Sequence, residues 1–90
     1  MAIYSINYDL VNPGQNYNDL ILAIKSYGVW CHALESCWLI KTEQDATRIR
    51  DYLLKYMDKN DKILVIKVTT PAAWQALDKE IADWIHNNLQ

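Results

Sequence analysis

Residues 3–10, Ile-Tyr-Ser-Ile-Asn-Tyr-Asp-Leu, constrain this chain more than any other stretch. Strict alternation puts Ile3, Ser5, Asn7 and Asp9 on one face of a strand, and Tyr4, Ile6, Tyr8 and Leu10 on the other. The second set is the apolar one and is expected to face helices. Asn7 and Asp9 then point together toward the opposite face or toward a partner. Residues 11–15, with Asn12-Pro13-Gly14 at their centre, form a turn-forming loop, and a helical pattern follows. An acid at the carboxyl end of such a first strand is where α/β-type sheets often place their chemistry. Asp9 is therefore the first candidate functional residue.

The same alternation continues along the chain. Asn16 or Asn18 is expected to cap a helix reaching about Tyr27, with Tyr17, Leu20, Ile21, Ile24 and Tyr27 on its apolar stripe and Gly28 ending it. Residues 29–42 read as extended, and are long for one strand. Unbroken, they would put Leu34, Ser36, Trp38 and Ile40 on one face, and Glu35, Cys37, Leu39 and Lys41 on the other. The length leaves room for a bend, or for a tight pair of strands around residues 33–35, although no Gly or Pro marks a turn there. Thr42 is the expected N-cap of a second helix, with Glu43 and Asp45 in its first turn. That helix should run to about Met57 with Ala46, Ile49, Leu53 and Tyr56 inward. Residues 62–69 form the clearest strand, rich in β-branched side chains. Thr70-Pro71 fits an N-cap and first helical position, followed by the stripe Trp74, Leu77, Ile81, Trp84 and Ile85. Residues 72–74 fit a short edge strand equally well, with the helix then starting nearer Asp78.

Two strand–helix–strand units sharing one sheet predict an α+β fold. The expected form is a single ferredoxin-like βαββαβ sandwich over residues 1–90 with an additional C-terminal helix, the 29–42 region supplying two strands. A Rossmann-type unit is the rival, but residues 12–14 carry no glycine-rich phosphate loop.

At 90 residues the chain lies near the lower limit for a self-sufficient core, and 51% of it is apolar. Four tryptophans, six tyrosines and no phenylalanine mean that its aromatic surface carries N–H and O–H groups needing partners or water. So small and aromatic a domain is expected to complete its burial as a homodimer. The net charge of −2, from nine basic and eleven acidic residues spread along the chain, argues against a strong electrostatic grip on nucleic acid. It leaves room for a small local site assisted by a divalent metal. Cys31 and Cys37 fit no common zinc spacing and read as buried free thiols in a reducing cytosol. No basic region precedes an apolar core at the N-terminus, and no apolar run approaches the roughly 20 residues a membrane span needs. The expectation is a soluble, cytoplasmic protein with no membrane partner.

Tyr8-Asp9-Leu10 closing the first strand, Gly28 closing the first helix, and Ser36-Cys37-Trp38 in the second extended region resemble the small CRISPR adaptation nuclease (Cas-two) family. The resemblance covers roughly residues 1–69. It is stronger still to small uncharacterised SinR-like proteins, where it takes in Ala73-Trp74 and Trp84-Ile85. The virulence-associated protein D ribonucleases are more distantly similar. The resemblance implies a ferredoxin-like homodimer in which Asp9 of each subunit meets its counterpart near the two-fold axis and binds one Mg²⁺ or Mn²⁺. It implies an endonuclease acting on RNA or DNA phosphodiesters, with Tyr8 beside Asp9 as a positioning group. Nuclease members follow the aspartate with arginines that hold phosphates, whereas residues 11–18 here contain none. The alternative expectation is a non-catalytic dimer that binds a protein, nucleotide or oligonucleotide.

Each candidate also has an ordinary structural explanation. Asp9 can simply accept hydrogen bonds from the loop that follows it. His32 and Glu35 have no motif around them, and His86 suits the end of a helix. The tryptophans can stack bases, but core packing explains them more simply. Arg48, Arg50 and Lys55 form the one basic group on a helix, diluted by Asp51, and read as a solvated face.

Overall fold

The computed structural model describes residues 1–11 and 17–89. Strand β1 (Ala2–Asp9) leads to helix α1 (Asn18–Lys25), strands β2 (Val29–Leu34) and β3 (Cys37–Thr42), helix α2 (Ala46–Leu54), strand β4 (Lys62–Val68) and helix α3 (Lys79–Asn88). The chain is α+β. Its four strands form one antiparallel sheet in the order β2-β3-β1-β4, with β1 central. Each helical crossover skips a strand: β1 and β2 flank β3, and β3 and β4 flank β1.

The alternation in β1 sets the two sides of the sheet. Tyr4 and Ile6 enter the main core with Leu20, Ala23 and Ile24 of α1, Trp38 and Ile40 of β3, and Ile49 and Leu53 of α2. Ile6, Ile24, Ile40, Ile49 and Leu53 are fully buried, each contributing about 1.5–3 kcal/mol from removal of its side chain from water. Tyr8 and Leu10 lie half-buried against the same core. On the other side, Ile3 packs with Ile85 and Leu89, supported by Leu39, Val68, Leu77, Ile81 and Trp84. So α1 and α2 cover one face, and α3 covers the Ile3 end of the other.

Several sequence expectations are corrected. Residues 29–42 do split, but the break falls at Glu35-Ser36, one residue later than expected, and Leu34 pairs with Cys37. Leu34 therefore shares a face with Cys37 and Leu39, not with Trp38. The reversal needs no glycine, because a tertiary bond holds it: the Tyr8 N–H donates to the Ser36 carbonyl at 3.2 Å. Thr42 does not cap α2. It is still the last residue of β3, paired with Ala2, and its Oγ1 accepts from the Gln44 N–H at 3.2 Å. Asp45 takes the cap instead, its carboxylate accepting the Arg48 N–H at 2.9 Å. That helix stops at Leu54, leaving Tyr56 exposed rather than inward.

Asn18 is the first residue of α1, with Tyr17 at the cap position. The loop expected over residues 11–15 and the alternative cap Asn16 lie, apart from Val11, outside the described residues. The last helix does not begin at Thr70-Pro71. Residues 69–78 are irregular, Trp74 is in neither helix nor strand and is exposed, and α3 starts after Asp78. The reason is distance. β4 is one edge of the sheet and α3 packs on β2 at the other, three strand spacings or about 14 Å away. The chain crosses that width before its helix begins. Among the described residues, no helix is long and apolar enough to cross a membrane.

Candidate functional site

Because α3 covers only one end of its face, the Asp9 end of the sheet stays open. β1 contributes Asn7 and Asp9 there, β4 contributes Leu64 and Ile66, and Leu34 of β2 pairs with Cys37 of β3. Leu34, Leu64 and Ile66 are 61%, 59% and 50% exposed. Three large apolar side chains on one uncovered sheet surface are more than the scattered exposure every protein shows. A shallow cleft of about 430 Å³ runs beside them, lined by Asn7, Asp9, Ser36, Cys37, Lys62 and Leu64 among others.

The floor of this region is polar and internally satisfied. Asn7 Nδ2 donates to Ser5 Oγ at 2.9 Å and, more weakly, to the Leu64 carbonyl at 3.4 Å. Ser5 Oγ lies 3.5 Å from Cys37 Sγ. Ser5 is buried and Cys37 half-buried. Cys31, a strand away on the same face, is buried; burial first, and the charge of a Cys37 thiolate second, push its thiol above the usual range.

Asp9 closes β1, is exposed, and lies opposite Lys62 in the β1–β4 register. Among the described residues that line the cleft it is the sole carboxylate, and no three His, Cys, Asp or Glu side chains come together as a metal-ligand group. One chain therefore offers a cation a single acid. Tyr8 points the other way. Its hydroxyl accepts the Trp38 Nε1–H at 3.0 Å, on the helix-covered side, so the two neighbouring site candidates diverge.

The end of β1 is anchored by an acid in the turn that precedes β4. Asp61 Oδ1 accepts the Val11 N–H at 2.9 Å and the Tyr17 hydroxyl at 3.3 Å, and its Oδ2 accepts the Asp58 N–H at 2.8 Å. This carboxylate ties the residues just after Asp9 to the turn before β4. His32 stacks on Trp38 with ring centroids 3.9 Å apart and planes 7° apart, and its Nε2 lies 3.1 Å from the Glu35 carbonyl. Trp38 is buried, Trp30 packs beside it, and Trp84 belongs to the second core.

The open patch itself escaped the sequence reading. Its signal was present: residues 63–66, Ile-Leu-Val-Ile, are apolar on both faces of one strand. In a half-covered sheet such a strand must leave one row exposed.

No protein-family description, curated protein or solved structure matches the chain.

Proposed function

We propose that the chain is a ferredoxin-like βαββαβ module with an added C-terminal helix, and that it works as a homodimer joined through the open end of its sheet. The antiparallel order and the two strand-skipping helical connections support the fold reading. The observation that carries the dimer is the exposure of Leu34 on one edge strand and of Leu64 and Ile66 on the other, flanking Cys37 and Asn7 at the open end of the sheet. A two-fold interface is self-complementary, so this one patch can serve both subunits. Packing there brings the two Asp9 carboxylates to one groove.

The chemistry we assign to that groove is hydrolysis of an RNA or DNA phosphodiester in a Cas-two-like manner. Paired carboxylates supplemented by water are a donor set that suits Mg²⁺ or Mn²⁺, whereas one carboxylate facing Lys62 is not. When bound, such an ion supplies an activated water and neutralises charge on the phosphate. The water oxygen would add to phosphorus, the bond to the leaving sugar oxygen would break, and the proton lost by the water would pass to that oxygen. In this scheme Asp9 is the ligand, Lys62 is placed to meet a phosphate oxygen, and Tyr8 acts only through the backbone of β1.

A second reading is a non-catalytic dimer that captures a protein, nucleotide or oligonucleotide. The apolar surround of Leu34 and Leu64 favours it, as does the single basic side chain among the described residues that line the cleft. The purified chain incubated with single- and double-stranded RNA and DNA, with and without Mg²⁺ or Mn²⁺, separates the two. Metal-dependent cutting that Asp9→Ala abolishes, with the circular dichroism spectrum unchanged, supports the nuclease. Cutting that survives the substitution, or no cutting with any substrate, leaves the binding module.

A further inference from the structure

A second concavity lies on the opposite side of the molecule, between the end of α1 and the outer face of α2. It is an open groove of about 450 Å³ lined by Tyr27, Gln44, Arg48, Asp51, Tyr52 and Lys55 among others, so two cations and one carboxylate line it. That volume falls within the range of small-molecule sites. Tyr27 and Tyr52 form its aromatic walls, their ring centroids 5.9 Å apart and their planes at 89°. Arg48, Tyr52 and Lys55 recur at helical spacing, so two cations bracket one ring along a single stripe of α2. Lys55 Nζ stands 5.8 Å from the centre of the Tyr52 ring.

The charges in this cleft do not cancel. Asp51 is engaged by Arg50, which lies outside the lining, at 2.9 Å. Among the described residues, neither Arg48 nor Lys55 forms an ion pair. The rim is otherwise made of polar tips: the Tyr27 hydroxyl donates to Gln44 Oε1 at 3.5 Å, and Ser26 Oγ lies 3.3 Å from the Tyr52 hydroxyl. The carbonyls ending α1 are already taken, by the N–H groups of Ser26, Tyr27 and Gly28. They neither bind a cation nor repel an anion at full strength.

We propose that this cleft binds a small phosphorylated ring compound of the nucleoside monophosphate type. The phosphate lies along α2 between Arg48 and Lys55, on the side away from the carbonyl end of α1. The flat ring inserts against Tyr27 and Tyr52, whose faces and edges offer it both stacking and edge contacts. A guanidinium gives the phosphate two parallel donors, and the lysine adds a point charge. This site is independent of the open sheet face and of Asp9.

Adenosine 5′-monophosphate, adenosine and inorganic phosphate, each titrated into the whole chain and followed by calorimetry, test the proposal. The nucleotide should bind more tightly than either half alone. Arg48→Gln with Lys55→Gln should weaken nucleotide binding by about tenfold or more, since both lost contacts are to a charged phosphate. Tyr52→Leu should weaken the nucleotide and adenosine but leave phosphate unchanged. Both cations are at the surface, so the double variant is expected to fold, and its circular dichroism spectrum verifies this. Absence of nucleotide binding at millimolar concentration overturns the proposal. So does phosphate binding as tight as that of the nucleotide, or nucleotide binding that the double variant retains.

Discussion

Asp61 gives the sharpest stability prediction, because one carboxylate ties together three parts of the chain. It accepts the Val11 N–H, the Tyr17 hydroxyl and the Asp58 N–H at 2.9, 3.3 and 2.8 Å. All three bonds are partly solvated, so each is worth less than a buried bond to a charged group. Taking about 0.7 kcal/mol apiece, Asp61→Ala should cost about 2 kcal/mol. For a domain of this size that lowers Tm by roughly 8–16 °C. Asp61→Asn keeps one oxygen for Val11 and Tyr17 but turns an N–H₂ toward the Asp58 N–H, and should cost about 1 kcal/mol. Urea unfolding followed by tryptophan fluorescence reads both values, and the slope should stay constant if only the folded contacts change. An alanine variant within about 0.5 kcal/mol of the parent, near the usual scatter of surface substitutions, would show that the three bonds do not hold the end of β1. The reasoning would also fail if asparagine proved as costly as alanine.

Three further outcomes follow from single residues. Gly28 has φ +87° and no atom near an added Cβ, so Gly28→Ala should cost about 1 kcal/mol through backbone strain alone, read from urea midpoints. Burial, and secondarily the neighbouring Tyr52, push the Tyr27 hydroxyl up to about 12; absorbance titration should show it ionising after the ordinary tyrosines. Because the folded pKa lies above the unfolded one, that stabilising contribution is complete below pH 10 and is lost as pH rises from there toward 12. Cys37 lines the proposed interface, so in a monomeric variant such as Leu64→Glu it, being half-buried, should react with a disulfide reagent before Cys31, whose thiol is both buried and raised; faster labelling of Cys31 there would contradict its burial.

Period-two alternation was enough to read β1 correctly. Tyr4, Ile6 and Tyr8 face the helices and Asn7 and Asp9 face away, because a central strand with one apolar row has a single workable register. Where local signals compete with tertiary ones, the sequence misleads. The Glu35-Ser36 reversal carries no Gly or Pro and is held by the Tyr8 N–H reaching across to the Ser36 carbonyl. Thr42 looks like a cap, yet pairing with Ala2 keeps it in the sheet and passes the role to Asp45. The start of α3 is fixed by the width of the sheet rather than by Pro71. Asp9 could be placed from its strand position, whereas the apolar row beside it needed the limited reach of α3. The divergence of Tyr8 follows from the same alternation once Trp38 is seen to hold its hydroxyl.

The central claim is that the open end of the sheet joins two copies of the chain. Sedimentation equilibrium on the parent and on Leu64→Glu tests it most directly. Leu64 is 59% exposed, so a charge there leaves the monomer's core untouched while burying an unpaired carboxylate in the proposed interface. The parent should sediment at twice the 10.5 kDa of one chain, and the variant at the single-chain mass. A parent that stays monomeric at millimolar concentration, or a variant that dimerises as well as the parent, would contradict the claim.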